Sequence, residues 1–224
     1  MPERKIYYSF QDMPGSQPYQ PQYTTKMQGM KFSQTEIIQI LIALGVLTIA
    51  FAFALAPNPP YQNINSAINN IPLAFLAIIT AFMCHELAHK YIAQRYGYWS
   101  EFRMYPQGLL FALLFGVVFG FVFAAPGAVT VLGNPTKEEY GKMAIAGPLT
   151  NIIIGSVAIS IWITIPGFIS TIAFFIGFVN IFLGLFNLLP FGPMDGMKIF
   201  RWKPEVWIGA FITTILLLAL LFLY

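Results

Sequence analysis

Charge is scarce in this chain of 224 residues: 9% are Asp, Glu, Lys or Arg, against 57% hydrophobic. A soluble domain carries about a quarter charged residues, so the chain has too little charge to cover a water-facing surface, and membrane residence follows. The net charge of +3 is spread thinly, and with no basic block nucleic acid is not expected as a partner. A single cysteine, Cys84, excludes an intrachain disulfide. The N-terminus lacks the short apolar run and cleavage site of a signal peptide, so none is expected. No internal repeat is visible. Histidine is rarest: both copies, His85 and His89, fall in AFMCHELAHKYIAQRYG, residues 81–97.

The apolar residues fall into long runs. Residues 1–32, rich in Gln, Pro, Tyr and Met, show no period and are expected to be a disordered tail. It is a plain leader or a cover for a site mouth. Ser33 and Glu36 in SQTE predict a capping box at the start of the first helix, and residues 37–56 then run without a charge, enough to span a bilayer. Further spans are expected at 71–96, 146–165, 171–189 and 205–224. YWSEFRMYPQ and FGPMDGMKIFRWKPE read as polar connectors.

Lys and Arg orient these runs. Arg4, Lys5, Lys26 and Lys31 precede the first span, Lys90, Arg95 and Arg103 flank the end of the second, and Lys137 and Lys142 precede the third. Lys198, Arg201 and Lys203 follow the fourth, whereas the 57–70 loop and the 166–170 turn have no cation. All the cationic sections share one side only if residues 108–125 do not cross. That run is dense in Val and Phe and broken by Gly116, Gly120 and Pro126-Gly127, so it reads as a strand pair or broken helix as well as a straight one. The expected fold is therefore an all-α polytopic membrane protein with about five transmembrane helices and a re-entrant or β-hairpin element at 108–132. A sixth span is the alternative. Residues 33–224 form a single membrane-embedded domain with its core at 71–200, the N-terminus on the cytoplasmic side of the cell membrane.

In HELAH, His85 and His89 stand four residues apart and so share one helix face. Two imidazoles so spaced can hold one metal ion, and Glu86 beside them can reach a metal-activated water, the pattern of zinc hydrolases. The alternative is a pair of hydrogen-bonded packing histidines, disfavoured because ionisable groups in membrane segments are usually functional. A catalytic zinc takes three protein ligands, and with no third histidine the third must be an acid or Cys84. Cys84 points about 100° away around the helix. Among the acids, Asp195 in NLLPFGPMDG follows a span that arrives at the same cationic face as the histidines. Its alternative is a turn or cap residue, a common use of Asp-Gly.

HELAH at 85–89, AGPLTN at 146–151 and NLLPFGPMDG at 187–196, in this order, resemble the site-2 protease family of intramembrane zinc metalloproteases. The resemblance covers about residues 71–200. It implies one Zn2+ per chain on His85, His89 and Asp195, Glu86 as catalytic base, and regulated proteolysis of transmembrane protein substrates within the bilayer, at a site nearer the cytoplasmic face. Asn151 is similar to the family asparagine that holds the substrate backbone or the oxyanion, and an interhelical packing hydrogen bond is the other role open to it. Ala88 and Met197 stand where the family often has glycine. A proteolytically silent membrane protein that binds metal or partner helices is the alternative, and a metal transporter a weaker one. The number of subunits is not legible.

Overall fold

The computed structural model describes residues 29–122 and 126–223. The expected tail lies outside the described residues up to residue 28, and so do residues 123–125 of the 108–132 element. Among the described residues, five helices are long and apolar enough to cross a membrane: α1 (Gln34–Ala54), the continuous Ile64–Arg95 helix, α5 (Lys137–Thr164), α6 (Phe168–Asn187) and α8 (Pro204–Leu223). The Ile64–Arg95 helix comprises α2 (Ile64–Ile78), a π-helical turn at Ile79–Met83 and α3 (Cys84–Arg95). The chain is a multi-pass membrane protein of the expected five spans.

The 108–132 region differs in detail from its expectation. Its first part is a helix, α4 (Pro106–Phe119), closed by Gly120 in the left-handed region at φ 73°. At 14 residues it is about 21 Å long, too short for a hydrocarbon core of about 30 Å. The strand pair exists, but its partner comes from the segment expected to be a polar connector. β1 (Trp99–Met104) pairs antiparallel with β2 (Gly127–Leu132), with Trp99 opposite Leu132 and Met104 opposite Gly127. α4 is inserted between the two strands. β1 shows no alternation of burial, because Ser100, Glu101 and Phe102 are all buried.

α1 holds the ribbon through a departure from local helix chemistry. Ser33 Oγ accepts the Glu36 backbone N–H, but the expected capping box is only half formed. The Glu36 carboxylate turns away to accept from Lys90 Nζ at 2.8 Å and from the Phe102 N–H at 2.9 Å, and Gln39 accepts the Met104 N–H at 3.0 Å. α1 thus occupies the outer edge of β1. A complete capping box stands instead at Thr136 and Glu139, opening α5. Lys90, counted above among the cations that flank the second span, is wholly buried and donates also to the Ser100 carbonyl. Phe82 meets Phe102 edge-on at 5.6 Å, joining the π turn to β1.

Elsewhere the helices meet through small residues: Ala43, Ala50, Ala74, Ala77, Ala81, Ala93 and Ala112 are all but inaccessible. Between helices already in lipid, close backbone approach takes the place of a hydrophobic driving force. Gly116 shows how tight this is, since a Cβ there would run into the Ala50 backbone.

Candidate metal centre

Two helices bring His85, His89 and Asp195 together. The histidines lie one turn apart on α3, and Asp195 opens the short helix α7 (Asp195–Trp202), which follows the NLLPFGPM turn. Gly196 is required beside it, because a Cβ there would strike the Leu188 and Leu189 carbonyls. Trp207 on α8 pins the same turn by donating its indole N–H to the Leu188 carbonyl at 2.7 Å. The side chains of His85, His89 and Asp195 are 3%, 13% and 8% exposed, a cluster almost closed to solvent.

His89 Nε2 lies 2.9 Å from Asp195 Oδ2, His85 Nε2 lies 3.3 Å from the same oxygen, and the two Nε2 atoms are 2.9 Å apart. The second nitrogen of each ring is engaged elsewhere. His89 Nδ1 is 2.7 Å from the Met143 carbonyl, which can only accept, so that nitrogen carries the proton. His85 Nδ1 meets Asn151 Oδ1 in the same sense. Two lone-pair nitrogens and a carboxylate oxygen therefore converge with no proton of their own between them, an arrangement that calls for a cation. Ligands about 2.0–2.1 Å from zinc in a tetrahedron stand about 3.3 Å apart, close to the separations here, and the potential ligand atoms of the triad all lie within 4.8 Å. The donor set fits zinc.

AGPLTN supplies the wall. A Cβ on Gly147 would meet Nε2 of both His85 and His89, so only glycine leaves room for the imidazoles. Pro148 lacks an N–H and leaves the Ala144 carbonyl without its helical donor, next to the Met143 carbonyl that receives His89. Asn151, fully buried, donates to the Ala81 carbonyl at 2.9 Å and to Asn180 Oδ1 at 3.1 Å, while its own oxygen faces His85. All its polar atoms are committed within the protein.

The Glu86 carboxylate reaches the ribbon, where it accepts the Val129 N–H at 3.1 Å. Phe102 and Val129 oppose each other in the ribbon, and both direct their N–H groups outwards, to Glu36 on one edge and to Glu86 on the other. The free edge of β2 is thus the one beside Glu86. A cavity of about 10 Å³ between Glu86, Phe102, Val129 and the Glu36–Lys90 pair is about large enough for one water.

Sequence reasoning missed Lys198 and Asn180. Lys198 donates to Asp195 Oδ1 at 2.8 Å and leaves Oδ2 to the histidines. Burial acts to raise the Asp195 pKa, but cationic neighbours outweigh it, the Lys198 ammonium among them, and hold the carboxyl well below the usual range. Burial likewise acts to lower the Lys198 pKa, and the Asp195 charge and hydrogen bond carry it above its ordinary value. Lys198 stands three residues after Asp195, one helical turn on, which was the available signal. Asn180 had one too, as an amide in the middle of an apolar span.

The chain is 40% identical over 180 residues to "Putative zinc metalloprotease MJ0611" of Methanocaldococcus jannaschii, covering 79% of this chain and 89% of that protein. The chain belongs to the site-2 protease family. It is accordingly a zinc metalloprotease, a hydrolase whose cofactor is Zn2+. Two longer members of the family match over 131 residues at 31% identity: "Zinc metalloprotease MJ0392" of the same organism, over 57% of this chain and 33% of that protein, and "Putative zinc metalloprotease Rip3" of Mycobacterium tuberculosis, over 55% and 29%. No family model and no solved structure matches the chain.

Proposed function

We propose that this metalloprotease hydrolyses peptide bonds in or near the transmembrane segments of membrane proteins, as one step of regulated intramembrane proteolysis. The observation that carries this reading is the convergence of His85 Nε2 and His89 Nε2, on a helix long enough to span a bilayer, with Asp195 Oδ2, a few residues beyond the end of another such helix. His85, His89 and Asp195 hold one zinc ion, which supplies Lewis-acid activation of water. Glu86 takes the proton from the attacking water and returns it to the departing amide nitrogen. Of the two roles open to Asn151, its committed hydrogen bonds support the interhelical one, in which it orients His85.

Helical peptide bonds are shielded by their own hydrogen bonds, so the substrate unwinds before it is cut. The free edge of β2, next to Glu86, suits an extended segment added as a third strand. The cations near the ends of α3, α5 and α7, set against a 57–70 loop without any, support a cytoplasmic N-terminus and a site nearer the cytoplasmic face of the cell membrane. A proteolytically silent metal-binding protein would not need Glu86.

The test is zinc content alongside cleavage of a reconstituted single-span substrate. His85→Ala and Asp195→Ala are expected to lose the metal, and Glu86→Gln to keep it while losing cleavage. A Glu86→Gln protein that cuts at the parent rate would overturn the reading.

A further inference from the structure

Zinc coordination through His85 Nε2 requires the ring proton on Nδ1, and a chain of hydrogen bonds decides where that proton sits. It begins at backbone carbonyls, which can only accept. Thr80 Oγ1 has one proton and lies 2.8 Å from the Leu76 carbonyl and 3.0 Å from that of Ala77. With its proton spent there, it can only accept from Asn180, 3.2 Å away, so the Asn180 atom facing it is the amide nitrogen. The second proton of that nitrogen goes to the Ile176 carbonyl at 2.9 Å.

Asn180 Oδ1 is then left for Asn151 Nδ2 at 3.1 Å, whose other proton goes to the Ala81 carbonyl at 2.9 Å. Only the Asn151 oxygen remains for His85, so His85 Nδ1 must donate. Rotating either amide by half a turn would set oxygen against oxygen, at Ile176 or at Ala81, so the polarity of the chain has one solution. Asn151 and Asn180 are fully buried and His85 nearly so. Thr80 and Ala81 both lie in the π turn, a feature frequent at functional sites.

We propose that Asn180 is a positioning residue for the metal centre: acting through Asn151, it fixes the His85 tautomer that aims Nε2 at Asp195 and His89. The inference rests on the ligand role of His85 proposed above. Outer partners of metal-bound imidazoles set ring orientation and tautomer, and losing them typically weakens metal binding about 10–100-fold. Asn180 acts one bond further out, so about a tenfold loss is expected.

The chain has two histidines, so 15N-labelling of histidine alone yields two resolvable imidazoles. The full chain is compared with Asn180→Leu, Thr80→Val and Thr80→Ser, reading zinc affinity by chelator competition and, in the zinc-free protein, the His85 tautomer. The expected result is an Nδ1–H form in the parent and in Thr80→Ser. Asn180→Leu should show mixed tautomers and about tenfold weaker zinc binding, and Thr80→Val a smaller change in the same direction. A folded Asn180→Leu with parental affinity and tautomer would overturn the inference. If that variant does not fold, the Thr80 pair decides, and a Thr80→Val protein indistinguishable from Thr80→Ser overturns it. His85→Ala separates the two claims. Zinc retained in that variant defeats the ligand assignment, whereas zinc lost there but unaffected in Asn180→Leu defeats only the role of Asn180.

Discussion

Lys90→Met removes one half of an ion pair with no access to solvent. Glu36 and Lys90 are both fully buried; the ammonium donates to Glu36 and to the Ser100 carbonyl, and the carboxylate also receives the Phe102 N–H. Without the lysine, Glu36 is a buried charge with one backbone donor. Removing one partner of a buried pair costs about 3–5 kcal/mol, against about 0–1 kcal/mol for an exposed pair. For a chain of this size 1 kcal/mol is worth about 2–4 °C, so the midpoint should fall by about 6–20 °C. Adding Glu36→Gln removes the stranded charge and leaves an amide that can still accept from Phe102. The double variant should therefore recover about half the loss, about 2 kcal/mol relative to Lys90→Met alone. Thermal unfolding in mild detergent at neutral pH, followed by tryptophan fluorescence, measures both. A Lys90→Met midpoint within about 2 °C of the parent, or a double variant as unstable as the summed singles, would refute the reasoning.

Gly147→Ala puts a methyl group against Nε2 of both histidines, so bound zinc should fall close to nothing while circular dichroism reports unchanged helix content. Val129→Pro deletes the N–H that Glu86 accepts, and kcat should drop about tenfold with zinc content intact, as misorientation of a catalytic group predicts. In Lys198→Met one of the charges that depress the Asp195 pKa is gone. That pKa rises towards its ordinary value, protons then compete with zinc at higher pH, and the acid limb of a zinc-binding curve should move upwards in pH.

How much of this was legible follows from where each property resides. HELAH and Asp195 carry their chemistry in residue type and spacing, and the scarcity of histidine turned the search for a third ligand into a choice among acids. The five spans were legible because apolar length is a local property. The ribbon was harder. β2 alternates in exposure along GAVTVL, but β1 is buried at three successive residues and carries Glu101 and Arg103, so WSEFRM offers no period to read. Its edge is satisfied by Glu36 and Gln39 from a distant helix, which also explains why SQTE misled: the glutamate belongs to a tertiary contact and not to its own cap. Lys90 misled the charge count in the same way, since a cation inside a buried pair does not mark a membrane face.

The central claim, that the metal centre cuts within a membrane segment, is tested most directly by locating the scissile bond. Mass spectrometry of the products from a reconstituted single-span substrate, with the Glu86→Gln protein as control, gives the position. The account predicts a cut inside the apolar segment towards its cytoplasmic end, absent in the control. A cut only in the soluble flanks, or one that persists in the control, would contradict it.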